Sequence, residues 1–213
     1  MFKIDRTTPV HTLLTRGVRI LKRNPIDPKT SILYAAKKLF AKYGFKATTV
    51  RQICEEAHVN TAFVSYYFGG KENLFYALLD TFYPQERMLQ KNKPRSSPEE
   101  ELRSILEEMI RFKWDDLEMA AIIHQEIAMN SPRKEKVLQY TQPVWKRVRR
   151  ILEIGRDQGI FHLRSLDHTL LVIMGAILFP GSHPIQNLLL ESPSPSVDEI
   201  VTDTLNLIFK GLT

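Results

Sequence analysis

The sequence contains a single cysteine, Cys54, among 213 residues. One thiol can form neither an internal disulfide nor a zinc site built from cysteines, so we expect a protein of a reducing, cytoplasmic compartment. Residues 1–9 lack the apolar run of a secretory signal. The longest apolar stretch, residues 170–180, has about half the length that a membrane-spanning helix requires. We therefore expect no membrane partner.

The sequence also lacks the common patterns of catalytic and metal sites. No two of its six histidines stand three or four residues apart, the spacing that would place two metal ligands on one helix face. There is no glycine-rich phosphate loop, and Cys54 falls on the inward side of a predicted helix. His124 lies on a mostly apolar helix, where we interpret it as a core residue, with a ligand contact as the alternative. We expect no enzyme, no metal and no other cofactor.

Apolar residues recur at helical spacing almost throughout, while alternating runs of the kind that form strands are missing. No repeat of fixed period is present, which argues against a solenoid. The pattern predicts an all-α fold, in which a three-helix helix-turn-helix domain precedes a larger helical domain. The predicted segments are a basic extension at residues 1–26, a helix-turn-helix domain at 27–83 (the head), a linker or frayed helix end at 85–98 and a helical domain at 97–213 (the body).

Positive charge is concentrated at the N-terminal side of the chain. Residues 1–83 contain 13 Lys and Arg against 6 Asp and Glu, whereas the remaining residues contain 17 against 18. A basic N-terminal part on a neutral body is typical of a protein that binds a polyanion through one end. Charge alone also allows a basic surface without a partner, so sequence motifs are needed to distinguish the two possibilities.

Local signals place two short helices close together within the head. Asp27 and Pro28 are typical of a helix start, and Gly44 is typical of a helix end. Thr49 to Gln52 has the spacing of a capping box, and Asn60 can cap the next helix after a turn of about three residues. Two short helices joined in this way form a helix-turn-helix unit.

The residues of these helices carry a more specific pattern. It comprises Ala35-Ala36-x-x-Leu39-Phe40-x-x-Tyr43-Gly44-Phe45, Thr48-Thr49-Val50-x-x-Ile53-Cys54-x-x-Ala57-x-Val59-Asn60 and Val64-x-Tyr66-Tyr67-Phe68-x-x-Lys71-Glu72-x-Leu74. This ordered set, over about residues 30–82, resembles the TetR family of transcriptional regulators. The sequence departs from the family at His58, where the turn usually holds Gly, and in its long N-terminal extension. The extension is either a minor-groove arm or a short helix packed on the head.

The third helix should present its exposed face to DNA, because Val59, Val64 and Phe68 turn inward. Phe63 belongs either to that face or to the core. The resemblance implies phosphate anchors at Thr49, Tyr67 and Lys71, and Arg51 is the candidate for a guanine contact, with an ordinary surface arginine as the alternative. The predicted DNA-binding residues are Thr49, Arg51, Thr61, Ala62, Phe63, Ser65, Tyr66, Tyr67 and Lys71.

In the body, the resemblance implies an effector pocket and a dimer interface. Aromatic and methionine side chains on the middle helices suit a lipophilic or aromatic ligand, although most of them must form core. The candidate pocket residues are Met109, Phe112, Trp114, Ile123, His124, Ile127, Tyr140 and Trp145. The last two helices have more apolar surface than one helix pair buries, so we expect a four-helix interface between two copies. Its predicted residues are Leu170, Ile173, Met174, Ile177, Val201, Leu205, Ile208 and Phe209.

The sequence thus predicts a homodimer that binds a palindromic operator in double-stranded DNA and regulates transcription. A repressor that a small molecule releases is the leading hypothesis. The alternative is a DNA-bound regulator of cell division, or a marker of chromosome position, that has no effector. The segment from Val59 to Phe68 is similar to a Bacillus-type subgroup of that second kind.

Overall fold

The computed structural model describes residues 27–89, 97–180 and 195–212. These residues form helices and no strand, which confirms the all-α prediction; the predicted N-terminal extension lies outside them. None of the helices described is both long enough and apolar enough to cross a membrane. The helices are α1 (Pro28–Ala47), α2 (Val50–Ala57), α3 (Ala62–Phe68), α4 (Lys71–Phe82), α5 (Gln85–Met88), α6 (Pro98–Asp115), α7 (Leu117–Ala128), α8 (Lys134–Asp157), α9 (Leu166–Leu178) and α10 (Val197–Lys210).

Most helix starts follow the capping signals of the sequence. The Asp27 carboxylate accepts a hydrogen bond from the Thr30 amide at 3.3 Å. Thr49 opens α2 through a complete capping box, in which its side chain and that of Gln52 satisfy each other's backbone amides. Ser97 opens α6 with the same arrangement. Each cap satisfies amides that the first helical turn would otherwise leave unpaired.

The end of α1 is bent at Gly44, where the sequence predicted a helix end, and the helix resumes for a few residues up to Ala47. Gly44 adopts φ 78°, a left-handed conformation that glycine reaches without a Cβ clash. The bend brings the ring of Phe45 to 5.3 Å from that of Phe40. Phe45 is thereby held at the border between the head and the body.

In the segment predicted to be a linker or frayed helix end, residues 85–88 form the short helix α5, and residues 90–96 lie outside the described part of the chain. Met88 is buried in the core of the body, and the Gln85 side-chain amide donates to the Tyr140 carbonyl at 2.9 Å. One methionine in a polar stretch gives no helical periodicity, so the sequence pattern could not indicate this turn.

Two apolar cores hold the chain together, and neither is confined to one predicted domain. The head core is closed by three side chains of the body, Met119 and Ile122 of α7 and Val137 of α8. The body core lies between α6, α8, α9 and α10, and Met88 joins it from the segment that follows the head. Helix α7 of the body therefore packs directly against α1 of the head.

Charged side chains are buried where head and body meet. Lys37 of α1 is 2.7 Å from the Asp116 carboxylate and 4.3 Å from the centre of the Phe82 ring. Asp116 also accepts from the Met119 amide at 3.0 Å and so caps α7. One carboxylate thus fixes both the start of α7 and its contact with α1.

A second buried ion pair lies at the other end of α7. The Arg133 guanidinium is 3.0 Å from Glu126, and both side chains are less than one-tenth exposed. The same guanidinium lies 3.7 Å from the centre of the Phe45 ring. The neighbouring Gln125 amide donates to the Ala41 carbonyl at 3.0 Å. The turn between α7 and α8 thus holds the bent end of α1.

Candidate nucleic-acid interface

The turn between α2 and α3 begins at His58, which adopts a left-handed backbone with φ 55°. Glycine is the usual residue in such a position, but histidine enters it more readily than most side chains. The Val59 amide donates to the Cys54 carbonyl at 3.0 Å, which closes α2. The Asn60 side chain then accepts from the Ala62 amide at 2.8 Å and opens α3. The predicted helix-turn-helix is therefore present although its turn has no glycine.

Helix α3 divides into a buried side and an exposed side, as the sequence predicted. Val64 is fully buried and Phe68 nearly so. Tyr66 projects outward with 77% of its surface exposed. The exposed side also carries two small residues, which let the helix backbone approach a groove closely. The exposed residues of α3 and its first turn are Thr61, Ala62, Ser65 and Tyr66.

Phe63 and Tyr67 lie between the exposed side and the buried side of α3. Both are half-buried and pack against the head core. Their rings lie 5.7 Å apart, and the Tyr67 ring also meets that of Tyr66 edge to face at 4.9 Å. Phe63 therefore supports the exposed tyrosine and has only part of its ring available to DNA.

Arg51 lies on the exposed side of α2. Its side chain is 83% exposed and its Nε is 2.8 Å from a carboxylate oxygen of Glu55, one helical turn further on. An exposed pair of this spacing contributes only about 0.3–0.5 kcal/mol. Glu55 can thus align the guanidinium without holding it against a stronger partner such as a guanine.

Thr49 is exposed at the start of α2, but its hydroxyl already has two hydrogen-bonding roles. It accepts from the Gln52 amide at 3.2 Å and donates to the Gln52 side chain at 2.9 Å. A hydroxyl has two lone pairs, so it can still accept a further hydrogen bond but has no second proton to give. A phosphate would have to replace Gln52 as the acceptor.

Lys71 has partners that the sequence did not indicate. Its ammonium donates to the Phe45 carbonyl at 2.8 Å and to the Thr48 carbonyl at 2.6 Å, and it lies 4.2 Å from the centre of the Phe45 ring. Burial, followed by the charge of Arg133, lowers the pKa of Lys71. The cation at the start of α4 is thus balanced by carbonyls at the end of α1, where the sequence predicted a phosphate. One of its three N–H groups remains for such a contact.

The predicted pocket residues differ in burial. Met109 is buried, His124 and Ile127 are exposed, and the remaining residues are half-buried. The interpretation of His124 as a core residue is wrong, because the apolar side of α7 that faces α1 is formed by Met119 and Ile122 instead. The half-buried residues of the predicted pocket are Phe112, Trp114, Ile123, Tyr140 and Trp145.

Two of these aromatic residues, Phe112 and Tyr140, contact Tyr83 at the junction of the two cores. The Tyr83 ring lies 5.3 Å from that of Phe112 and 6.3 Å from that of Tyr140. The Tyr140 hydroxyl donates to Asp80 of α4. Burial, together with that hydrogen bond, raises the pKa of Tyr140 to about 12. This cluster ties the end of α4 to the helices of the body.

Most of the predicted dimer residues belong to the protomer's own core. Leu170 and Met174 are half-buried, and the other six are at least nine-tenths buried. These six have at most 7% of their surface exposed and so have little area left for a second copy, because α10 packs against α6 and α9 packs against α8. The six are Ile173, Ile177, Val201, Leu205, Ile208 and Phe209. The exposed apolar residues on the outer side of these helices include Leu171, Val172 and Leu207.

Sequence reasoning missed the buried charges that position the head. Glu126 stands four residues after Ile122 and seven after Met119, so it shares the buried side of α7. An acid in an apolar stripe signals a buried partner, which Arg133 supplies. Cys54, in contrast, is buried as expected, and burial raises the pKa of its thiol.

Both parts of the chain match described families. Residues 32–78 match "Bacterial regulatory proteins, tetR family", and residues 95–179 match "Tetracyclin repressor-like, C-terminal domain". Among solved structures, HlyIIR, a hemolysin II transcriptional regulator, is 32% identical, with a TM-score of 0.65 over 83% of this chain and 96% of that one. The chain belongs to the TetR family. As a member of the TetR family, it is a DNA-binding transcriptional regulator.

Two further relatives match most of the chain. The "Probable HTH-type transcriptional regulator YttP" of Bacillus subtilis is 26% identical over 75% of this chain and 79% of its own length. The "HTH-type transcriptional repressor NicS" of Pseudomonas putida is 27% identical over 79% of this chain and 82% of its own length. Both names describe HTH-type regulators of transcription, which agrees with the helix-turn-helix geometry of this chain.

Proposed function

We propose that the protein is a homodimeric repressor whose two heads bind a palindromic operator and which a small lipophilic or aromatic molecule releases. The observation that carries the proposal is the exposed side of α3, where Tyr66 projects beside small residues while Val64 and Phe68 anchor the helix. An exposed, small-residue surface on a firmly packed second helix suits the major groove.

In this proposal the contacts fall into two kinds. Arg51 and the exposed side of α3 read base edges, because Arg51 and Tyr66 are highly exposed and Arg51 has only a weak partner in Glu55. Thr49, Tyr67 and Lys71 hold phosphates from the rim of the same surface. Base contacts set the sequence preference, whereas phosphate contacts strengthen binding to every DNA.

The dimer in this proposal uses the outer side of α9 and α10. Leu171, Val172 and Leu207 are 64%, 55% and 72% exposed, which is unusual for apolar side chains on adjacent helices. Contact between two copies through this side would form the four-helix interface expected from the sequence. We expect Val172→Asp to yield a folded monomer in sedimentation. Leu205→Asp serves as the contrast, since it introduces a charge into the protomer core and should lower stability instead.

Release by an effector is supported by the way the head is closed. Helix α8 contributes side chains to both cores, and α7, which closes the head core, packs against α6 and α8, so a ligand that moved these helices would move the head. By linkage, such a ligand binds the DNA-free state more tightly, and DNA weakens its binding by the same factor.

Mapping of the bound sites along the chromosome, together with transcript levels after deletion, tests the proposal. A repressor predicts sites close to promoters and higher transcript levels of the adjacent genes in the deletion strain. Sites that cluster by chromosome position, with unchanged transcripts, would instead support a regulator of cell division or a position marker.

A further inference from the structure

The backbone that joins α1 to α2, residues 44–49, holds two of the predicted phosphate anchors. The Lys71 ammonium donates to the carbonyls of Phe45 and Thr48 at 2.8 and 2.6 Å. Thr49 follows directly and caps α2. Thr48 is only 1% exposed, and its hydroxyl contacts two carbonyls of α1 at 2.9 and 3.2 Å. A shift of this segment would therefore displace Lys71 and Thr49 together.

The body reaches this segment through Arg133. The Arg133 guanidinium lies 3.7 Å from the centre of the Phe45 ring and 5.6 Å from that of the Phe75 ring. The Lys71 ammonium lies 4.2 Å from the centre of the same Phe45 ring. A cation close to an aromatic ring is attracted by the ring's quadrupole, and more strongly where water is excluded. One ring of the head thus attracts a cation of the body and a cation of the head.

Arg133 is itself fixed by the turn between α7 and α8. Its guanidinium is 3.0 Å from the Glu126 carboxylate, and its backbone amide donates to the Ser131 hydroxyl at 3.1 Å. That hydroxyl in turn donates to Glu126. Asn130 adopts a left-handed backbone with φ 48° at the start of this turn. The position of the guanidinium over Phe45 is therefore set by the body and not by the head.

Stability alone does not explain a cation at this position. The Nε atom of Arg133 is buried and has no hydrogen-bond partner among the described residues. An unpaired buried donor is costly, and a buried ion pair often stabilises no more than apolar residues of the same volume. Burial, and after it the charge of Arg133, also lowers the pKa of Lys71. An apolar side chain could pack on Phe45 without these costs.

We propose that Arg133 is a positioning residue for DNA binding, which holds the Phe45 ring and thereby keeps Lys71 in place to contact a DNA phosphate. The inference rests on the proposed function of the head, in which Lys71 binds that phosphate through its third N–H group. Arg133 does not touch DNA itself. The turn between α7 and α8 then sets the strength of phosphate binding within each head, separately from the spacing of the two heads in a dimer.

The test replaces the buried pair in the full chain with Glu126→Gln and Arg133→Met together. No charge is then left buried without a partner, and the Gln oxygen can still accept from Ser131. The control, Glu153→Gln with Arg150→Met, makes the same change in a surface pair of α8. The probe is a mixed-sequence duplex about four helical turns long, titrated between about 50 and 200 mM salt. The slope of log affinity against log salt should become shallower by about 1.8 per dimer, for one phosphate lost in each head, while the control keeps the parent slope.

Two further variants separate positioning from stability. Lys71→Met alone should make the slope shallower by the same amount, and adding it to the paired variant should change the slope no further, because both act on one contact. Phe45→Leu leaves the buried pair and the carbonyls that hold Lys71 in place, and it should also make the slope shallower. All slopes are measured where circular dichroism shows each variant to be folded, so that a loss of stability alone does not alter them.

A parent slope in the paired variant or in Phe45→Leu would overturn the inference, as would additive effects of Lys71→Met and the paired variant. A steeper slope in the paired variant would overturn it too, since Arg133 would then only repel Lys71. In each of these cases the proposed function stands as long as the parent protein binds the promoter fragments found by mapping. Failure of the parent to bind those fragments would overturn the proposed function and the inference with it.

Discussion

The head and the body differ in how their cores are closed. The body core is formed almost wholly by its own helices, with Met88 as the buried residue contributed from outside. The head core depends on Met119, Ile122 and Val137 of the body. Buried charges accompany this dependence, since Lys37 and Arg133 both lie at the border. The head is thus held in place by contacts that need matching partners, whereas the body is held by apolar packing that tolerates more variation.

The largest expected effect comes from breaking the buried ion pair at this border. Arg133→Met leaves the Glu126 carboxylate buried without its cation, and removal of one partner of such a pair costs about 3–5 kcal/mol. Chemical denaturation should show this loss. Arg150→Met is the matched control, because Arg150 pairs with Glu153 on the surface at 2.6 Å and should change stability by less than about 1 kcal/mol. Equal losses of unfolding free energy in the two variants would contradict the claim that the buried pair at the border contributes more than a surface pair.

Lys113 is a buried cation of the body whose removal should stabilise the protein, in contrast to the removal of Arg133. Burial lowers its pKa to about 8 from the ordinary 10.5, although it donates to the Leu178 carbonyl. The folded protein thus binds fewer protons than the unfolded chain between about pH 8 and 10.5, and this site makes the free energy of unfolding rise with pH across that window. Below pH 8 the full penalty is present.

Lys113→Met should therefore stabilise the protein at pH 7, by up to about 3 kcal/mol less the value of the lost hydrogen bond. The difference in unfolding free energy between variant and parent should shrink toward pH 10.5. Lys146→Met, at an exposed position, is the control and should show no such trend. A difference that stays constant from pH 7 to 10.5 would show that burial does not lower the pKa of Lys113.

Lys71 is a partly buried cation of the head whose partners are backbone carbonyls and not a carboxylate. Lys71→Met removes two charged hydrogen bonds and should cost about 2–3 kcal/mol of stability. If its third N–H also meets a phosphate, the salt slope of DNA binding should fall by roughly one in each head. Lys46→Met, an exposed cation near the end of α1, should leave stability unchanged. A loss of stability without a change of the salt slope would show that Lys71 stabilises the head but does not contact a phosphate.

The sequence predicted the local structure of the head well, because caps and turns depend on neighbouring residues. The box at Thr49 and the inward side of α3 follow from spacing alone, whereas Gly44, predicted to end α1, bends it instead. It predicted the use of apolar faces in the body poorly. An apolar stripe on α10 has the same pattern whether it meets α6 or a second copy, and only the fold shows that Leu205 is buried within the protomer.

Contacts between distant segments were also beyond prediction. The carbonyls that hold Lys71 lie 23 and 26 residues away, and Asp116 lies 79 residues from Lys37. No local pattern encodes such partners. Glu126 was missed although a local signal was present, since its place on the buried side of α7 indicates a partner without identifying it.

The most direct test of the central claim, that α2 and α3 read DNA sequence, is the ratio of affinities for a mapped promoter fragment and for mixed-sequence DNA. Arg51→Ala should lower the affinity for the fragment by about 1–3 kcal/mol per half-site and change binding to mixed-sequence DNA much less, so the ratio falls. Stability should stay near that of the parent, because Arg51 has only an exposed partner. An unchanged ratio, with both affinities lowered equally or not at all, would contradict the assignment of base reading to this surface.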